Sequence, residues 1–446
     1  MCLDGNSIRN LIISNDVTLQ EPLSVSNTLS FGSSNNILFT GDYLTLKSDA
    51  GGTARLADIT NGGTVSGNSI SGKVAIERYI PGRKSWRLLS VPITAAGAPS
   101  INEAWQEAVV SGNPSPGYGI QITGGTNANG FDLGVNTNPS ILVYSNGSNS
   151  LPGLPNVPGT YVPITDYPAY FLFIRGNRST NLSLGANAPV TNTTLRIKGY
   201  LNTGNVNINV NAQNSTLVGN PYPSAIDFHS LTKNNVNDKV YIWDPKIAGA
   251  NGVGGYVTLI WNGSGYDATS SVSPVSRYIP SGEAFFIESA DGTNPGILTF
   301  KEADKTSSGS DNLFRPVYNS EKLRIDLLTV NAAGSASLSD GVLTAYGDNH
   351  SNAIDGKDAS KYYNIGENIC IGRENNDLAV ERRHTIENND TTFLTIYNLK
   401  KQTYQLQITT EGMEHSGLYA VLKDKYSSAI NNTQLVMGVV SKISFI

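Results

Sequence analysis

The sequence predicts an all-β chain, and three observations carry that prediction. Helical periodicity is almost absent, apart from one stretch at 101–110. Short runs in which apolar and polar residues alternate recur along the whole length. Between them stand turn formers, including 45 glycines with abundant Asn, Ser and Thr. The 21 tyrosines suit half-buried strands. With 446 residues the chain has room for about two to four domains and an ample core. Charged residues make up 15%, the net charge is −5 and no Lys/Arg cluster occurs, which argues against a nucleic-acid partner. No stretch is long and apolar enough for a membrane-spanning helix.

Residues 1–76 read as short strands in quick succession: 11–13, 17–19, 23–25, 29–31, 37–39 and 43–46. Alternating triplets separated by Asn, Ser, Asp or Gly suit the rungs of a short β-solenoid-like segment, with a small meander as the competing arrangement. Met1-Cys2 has no apolar stretch before it, so no signal peptide is read there. Cys2 and Cys370 make neither a disulfide framework nor a zinc site, and whether they pair is left open.

A second module is expected over 77–315. It opens on ERYIP (77–81) and SWRLLSVP (85–92). In the latter, Trp86, Leu88 and Ser90 share one strand face and Arg87, Leu89 and Val91 the other. Glu77, Arg78, Arg83 and Arg87 are dense charge for this chain. They suit an anion or carboxylate site, or more simply a salt-bridged strand pair. The helical stretch INEAWQEAVV (101–110) has Ser100 as its cap and Glu103 at the capping-box position.

The module reads as two related β-sandwich halves, about 77–200 and 201–305. Strands 88–92, 141–145, 161–164 and 167–176 match 217–221, 240–244, 256–260 and 282–289 in order and character. The spacer 111–139 is rich in Gly, Asn and Pro and suits an exposed ligand-contact loop. It is no phosphate cradle, because no helix and no P-loop lysine follow.

Asp227 ends STLVGNPYPSAID (215–227), and Asp244 lies in YIWDP (241–245). The two could be paired as hydrolytic acids, but an Asp at a strand end or beside Pro ordinarily accepts backbone N–H bonds in a turn. Residues 316–446 form a third unit, with evenly spaced strands that suit an immunoglobulin-like β-sandwich. Within it, Asp355, Asp358 and Glu367 offer oxygens that calcium would accept, although the EF-hand spacing is missing. Otherwise no cofactor is indicated. His229, His350, His384 and His415 are scattered, with no HxH or HExxH pair. Trp105, Phe131, Trp261 and Tyr266 are candidate ligand contacts, as aromatic platforms or a loop tip. Ordinary packing is the simpler use of such rings.

Several motifs together resemble a family of secreted, multidomain surface proteins of the Bacteroidota. They are LKSD and GTARL at 46–56, ERYIP with SWRLLSVP, and AYFLFIRGNRS (169–179). Farther on come TTLRIKG (193–199), LVGNPYPSAIDF (217–228), YIWDP, EAFFIES (283–289) and the series from DGKDASKYYNIGEN (355–368) to YQL (404–406). The resemblance covers most of 40–430. It implies export through the type IX secretion system and an extracellular or outer-surface location. The sorting domain of such proteins does not follow residue 446, so the export route is left open. The expected function is non-enzymatic: adhesion, or a structural building block that self-associates or binds other surface proteins through exposed edge strands. The alternative is a carbohydrate-binding or accessory module of a secreted polysaccharide-degrading protein, with glycans as partners.

Overall fold

Four strands, Ser7–Ile13, Leu23–Phe31, Leu44–Leu46 and Val74–Ile80, lie side by side in parallel. The computed structural model describes residues 6–112, 114–135, 138–145, 159–247, 253–307, 321–386, 390–413, 419–424 and 432–446. The register places Val25 beside Leu46 and Leu46 beside Ile76. All three are buried, which makes a continuous apolar ladder. Full burial of each side chain contributes about 1.5–3 kcal/mol. The chain returns through a second parallel row, Val17–Thr18, Ile37–Phe39 and Ser69–Ser71. At one corner Gly41 and Asp42 both take positive φ, 54° and 65°. The Asp42 carboxylate accepts the Lys73 backbone N–H at 2.7 Å and ties that corner to the next pass of the chain.

Val74–Ile80 also pairs antiparallel with Thr193–Gly199, with Ile76 opposite Ile197. One apolar core therefore runs from Ile13 through Leu201, across residue 76. Contacts divide the chain into two compact units. The first comprises 1–237 with 277–311, and the second 238–276 with 312–446. Residues 238–276, expected in the second half of the middle module, thus belong to the second unit.

Within the first unit, Ser85–Leu89 pairs antiparallel with Tyr170–Ile174, which also pairs with Ile141–Val143. Thr216–Gly219 pairs antiparallel with Ala284–Ile287. The first and last matched elements of the two halves therefore carry the same pairing. The third differs: Gly159–Tyr161 is a 3₁₀ turn, whereas Gly255–Trp261 is a strand. The two strand pairs meet at Ser90. Its N–H donates to Gly282 O at 3.0 Å and its hydroxyl to Glu283 O at 2.9 Å.

The only α-helix among the described residues is Ile101–Ala104. Its capping box forms as expected: Ser100 Oγ accepts from Glu103 N at 3.1 Å and Glu103 Oε2 accepts from Ser100 N at 2.8 Å. The helix stops well short of residue 110. Glu107 and Ala108 both adopt φ of 58°, and the Gln106 side chain is held by Asp132 and Gly130.

The second unit holds one large sheet. Its strand order is Leu394–Tyr397, Asn368–Arg373, Asn376–Arg383, Ala336–Tyr346, Glu321–Val330, Thr403–Glu411 and Val440–Phe445. One face buries Ile325, Leu327, Val342, Ile369, Leu378, Leu406 and Ile408. Lys239–Asp244, Gly255–Trp261 and Tyr266–Ala268 form a meander in the same unit. Arg382 donates to Trp261 O at 2.7 Å, and the Tyr241 and Tyr362 rings stack with centroids 3.9 Å apart. The molecule is all-β, as the alternation predicts. No helix among the described residues is long and apolar enough to cross a membrane.

Candidate functional site

Two loops of the first unit converge on one ion pair. The first follows the 3₁₀ turn Asn127–Asn129, where Gly130 takes φ 84°. A Cβ at Gly130 would sit 2.2 Å from Thr160 Oγ1, so the turn requires glycine in both conformation and space. The turn delivers Asp132 inward. The second loop follows Tyr170–Ile174 and delivers Arg178. Arg178 Nη1 and Nη2 donate to the two Asp132 oxygens at 2.6 and 2.9 Å. Neither side chain is exposed.

Such a pair is tolerable in a core only when its other hydrogen-bonding capacity is met. Here it largely is. Asp132 also accepts from Gln106 Nε2 at 2.9 Å, Ser111 N at 2.6 Å and Ile122 N at 2.7 Å. Arg178 also donates to Ile120 O at 2.8 Å and Val109 O at 2.7 Å. Only Arg178 Nε lacks a partner.

Above this pair lies an open groove of about 670 Å³ between 111–135 and 178–183. Its lips carry aliphatic side chains, with Leu133 57% and Val135 67% exposed. Ser111, Gln121, Ser179 and Asn181 add hydroxyl and amide groups. Gln121 Nε2 donates to Arg178 O at 2.8 Å and to Thr180 O, which fastens one wall to the other. Arg178 is the one ionisable residue among the described lining, and Asp132 neutralises it. The groove can offer hydrogen bonds and apolar contact. Its described walls hold no free carboxylate or imidazole for proton transfer.

The residues singled out from sequence lie elsewhere or are already engaged. Trp105 and Phe131 are 3% and 1% exposed and belong to the core. Trp105 meets Tyr170 edge-on at 5.4 Å. As ligand platforms these two are corrected: their faces are covered by protein. Trp261 and Tyr266 are half-buried and pack on each other at 5.3 Å, and the Tyr266 hydroxyl donates to Asp238. Asp355 Oδ1 accepts from Lys357 N at 2.8 Å in its own turn. Asp358 is buried and accepts from Asp355 N and Arg382 N, both at 2.7 Å. Burial holds its carboxyl above the ordinary range. Glu367 Oε1 accepts from the Tyr404 hydroxyl at 3.0 Å and Gln402 Nε2 at 3.2 Å. Among the described residues no group of three His, Cys, Asp or Glu side chains is gathered for a metal.

Asp227 accepts from His229 N at 3.0 Å and pairs with Arg277 at 3.1 Å. Asp244 accepts from Lys246 N at 2.8 Å and Ser273 Oγ at 2.6 Å. Each is bound within its own neighbourhood. Glu77 pairs with Lys47 at 2.7 Å. Burial, with the charges of Arg83 and Arg78, pulls the Arg87 guanidinium down to about 10. Cys370 is a buried free thiol, while Cys2 and His415 lie outside the described residues. Sequence reading missed the Arg178–Asp132 pair. The available signal was the Asp of GFD and the second Arg of RGNRS, each in a glycine-bearing motif.

A family model described as a domain of unknown function, DUF8693, matches residues 173–436. It takes in the 178–183 wall of the groove and leaves 111–135 outside. The match covers more than half of the chain, and the chain belongs to that family. No curated protein and no solved structure matches it.

Proposed function

We propose that this DUF8693 chain is a non-catalytic protein of a bacterial surface, serving in adhesion or as a structural building block. The observation that carries the reading is the groove between 111–135 and 178–183. Its described lining is aliphatic, hydroxyl and amide, set over an ion pair that is already closed. That is contact chemistry, suited to holding a partner. The parallel rows at the N-terminus support reading them as β-solenoid-like rungs. The two paired-strand halves and the large sheet support sandwich-like layers. The outer strands Leu394–Tyr397 and Val440–Phe445 support self-association by strand addition. Export by the type IX route belongs to the proposal through the motif resemblance alone.

The groove also favours a second reading, binding of a neutral saccharide. Hydroxyl and amide groups beside aliphatic lips fit sugar hydroxyls and ring C–H faces. One experiment tests both. The chain is immobilised, and retention of bacterial envelopes and of neutral polysaccharides is compared with that of a Leu133→Asp/Val135→Asp variant. Adhesion through the groove predicts retention that the variant loses. Equal retention by both chains removes the groove from the proposal.

A further inference from the structure

The second unit buries a lysine against an aspartate in its apolar core, in a geometry that the buried Lys305–Glu302 pair lacks. Asp340 lies on Ala336–Tyr346, two positions before Val342, so it points to the face that buries Val342 and Ile369. Lys361 follows the short strand Ala359–Ser360. The side chains are 2% and 0% exposed. Lys361 Nζ stands 2.6 Å from Asp340 Oδ1 and also 2.6 Å from Oδ2. An amine equidistant from both oxygens lies on the plane that bisects the carboxylate and contains its carbon. The other fully buried lysine pair differs. Lys305 meets Glu302 through Oε2 alone, at 2.6 Å, and Oε1 accepts from Gly204 N.

Two backbone donors complete the arrangement. Ile369 N donates to Asp340 Oδ2 at 2.7 Å and Gly341 N to Oδ1 at 2.9 Å. Such donors stabilise an oxygen that gains negative charge as a carbonyl carbon becomes tetrahedral. Burial in an apolar core disfavours the charged carboxylate. It holds the Asp340 carboxyl above its ordinary range.

We infer that Lys361 and Asp340 condense to an intramolecular isopeptide bond that links Ala336–Tyr346 to the segment after Ala359–Ser360. The ammonium first passes one proton to the carboxylate. The Nζ lone pair then attacks Cγ, and the tetrahedral oxygen is held by the Ile369 and Gly341 N–H groups. The second Nζ proton passes to the departing hydroxyl. One C–N bond forms, one C–O bond breaks, and one water leaves. No oxidant or co-reactant is consumed. Fixed proximity replaces the activation that amide formation needs in solution. The inference does not depend on what the groove binds.

The test is the intact mass of the purified full chain under denaturing conditions, followed by proteolytic mapping. The expected mass is one water below the sequence mass, with a branched peptide joining the Asp340 and Lys361 fragments. Lys361→Arg keeps the charge and cannot make this amide. It is expected at full sequence mass. A folded wild-type chain at full sequence mass, with Asp340 and Lys361 in separate linear peptides, overturns the inference. So does a water loss that persists in Lys361→Arg.

Discussion

Arg178 and Asp132 come from loops on opposite sides of the groove and close on each other through two hydrogen bonds, at 2.6 and 2.9 Å, away from solvent. Removing the cation leaves a buried carboxylate that keeps its amide donors and loses its countercharge. Arg178→Met is expected to cost about 3–5 kcal/mol in urea unfolding of the first unit. A cost below about 1 kcal/mol, the range of exposed pairs, would show that water reaches the carboxylate.

Gly219 lies where the two strand pairs of the first unit meet. A Cβ there would stand 2.4 Å from Ser90 Cβ and 2.6 Å from Pro168 O. Gly219→Ala is therefore expected to destabilise by about 1–3 kcal/mol, the range for overpacking. Adding Ser90→Gly should recover part of that loss, because the contact with Pro168 O remains. A thermal midpoint unchanged by Gly219→Ala would mean that the seam is looser than described.

Asp326 is fully buried. Its Oδ2 accepts from Ser271 Oγ at 2.9 Å, and its Oδ1 has no donor. Burial raises its carboxyl above the ordinary range. A carboxyl whose folded pKa exceeds its unfolded value contributes stability below the unfolded pKa and loses it as pH rises through the folded one. Asp326→Asn removes that loss. The variant should be more stable than wild type at pH 8, with the difference shrinking as pH falls toward 4. Urea midpoints across that range would show it. A variant less stable than wild type at pH 8 would contradict the assignment.

Burial pushes the Cys370 thiol up to about 12. With the side chain at 0% exposure, native protein at pH 8 should resist iodoacetamide and react fully in denaturant. Mass spectrometry of the Cys370 peptide reads both states. Rapid native alkylation would mean that the Asn368–Arg373 strand opens readily.

Local features were legible in the sequence because they depend on near neighbours. Strand alternation follows from a two-residue period, and the Ser100–Glu103 capping box closes within three residues. What the chain brings together from afar was not legible. The helix at 101 ends early because the Gln106 side chain is held by Asp132 and Gly130, far ahead in the chain. Trp105 and Phe131 stood as candidate ligand contacts beside the simpler reading as packing, since no spacing distinguishes a platform from a core ring. Asp355, Asp358 and Glu367 offered oxygens that calcium would accept. Their partners, from Lys357 N to the Tyr404 hydroxyl, appear only once the strands are placed. The groove needed both of its walls, and only the 111–139 side was expected to touch a ligand.

We propose that this chain holds a partner without transforming it. The direct measurement is release of soluble product when purified chain is incubated with bacterial envelopes and a panel of polysaccharides. The expected result is bound protein in the pellet and no reducing sugar or peptide above the level without protein. Product that accumulates in proportion to the amount of chain added would contradict it.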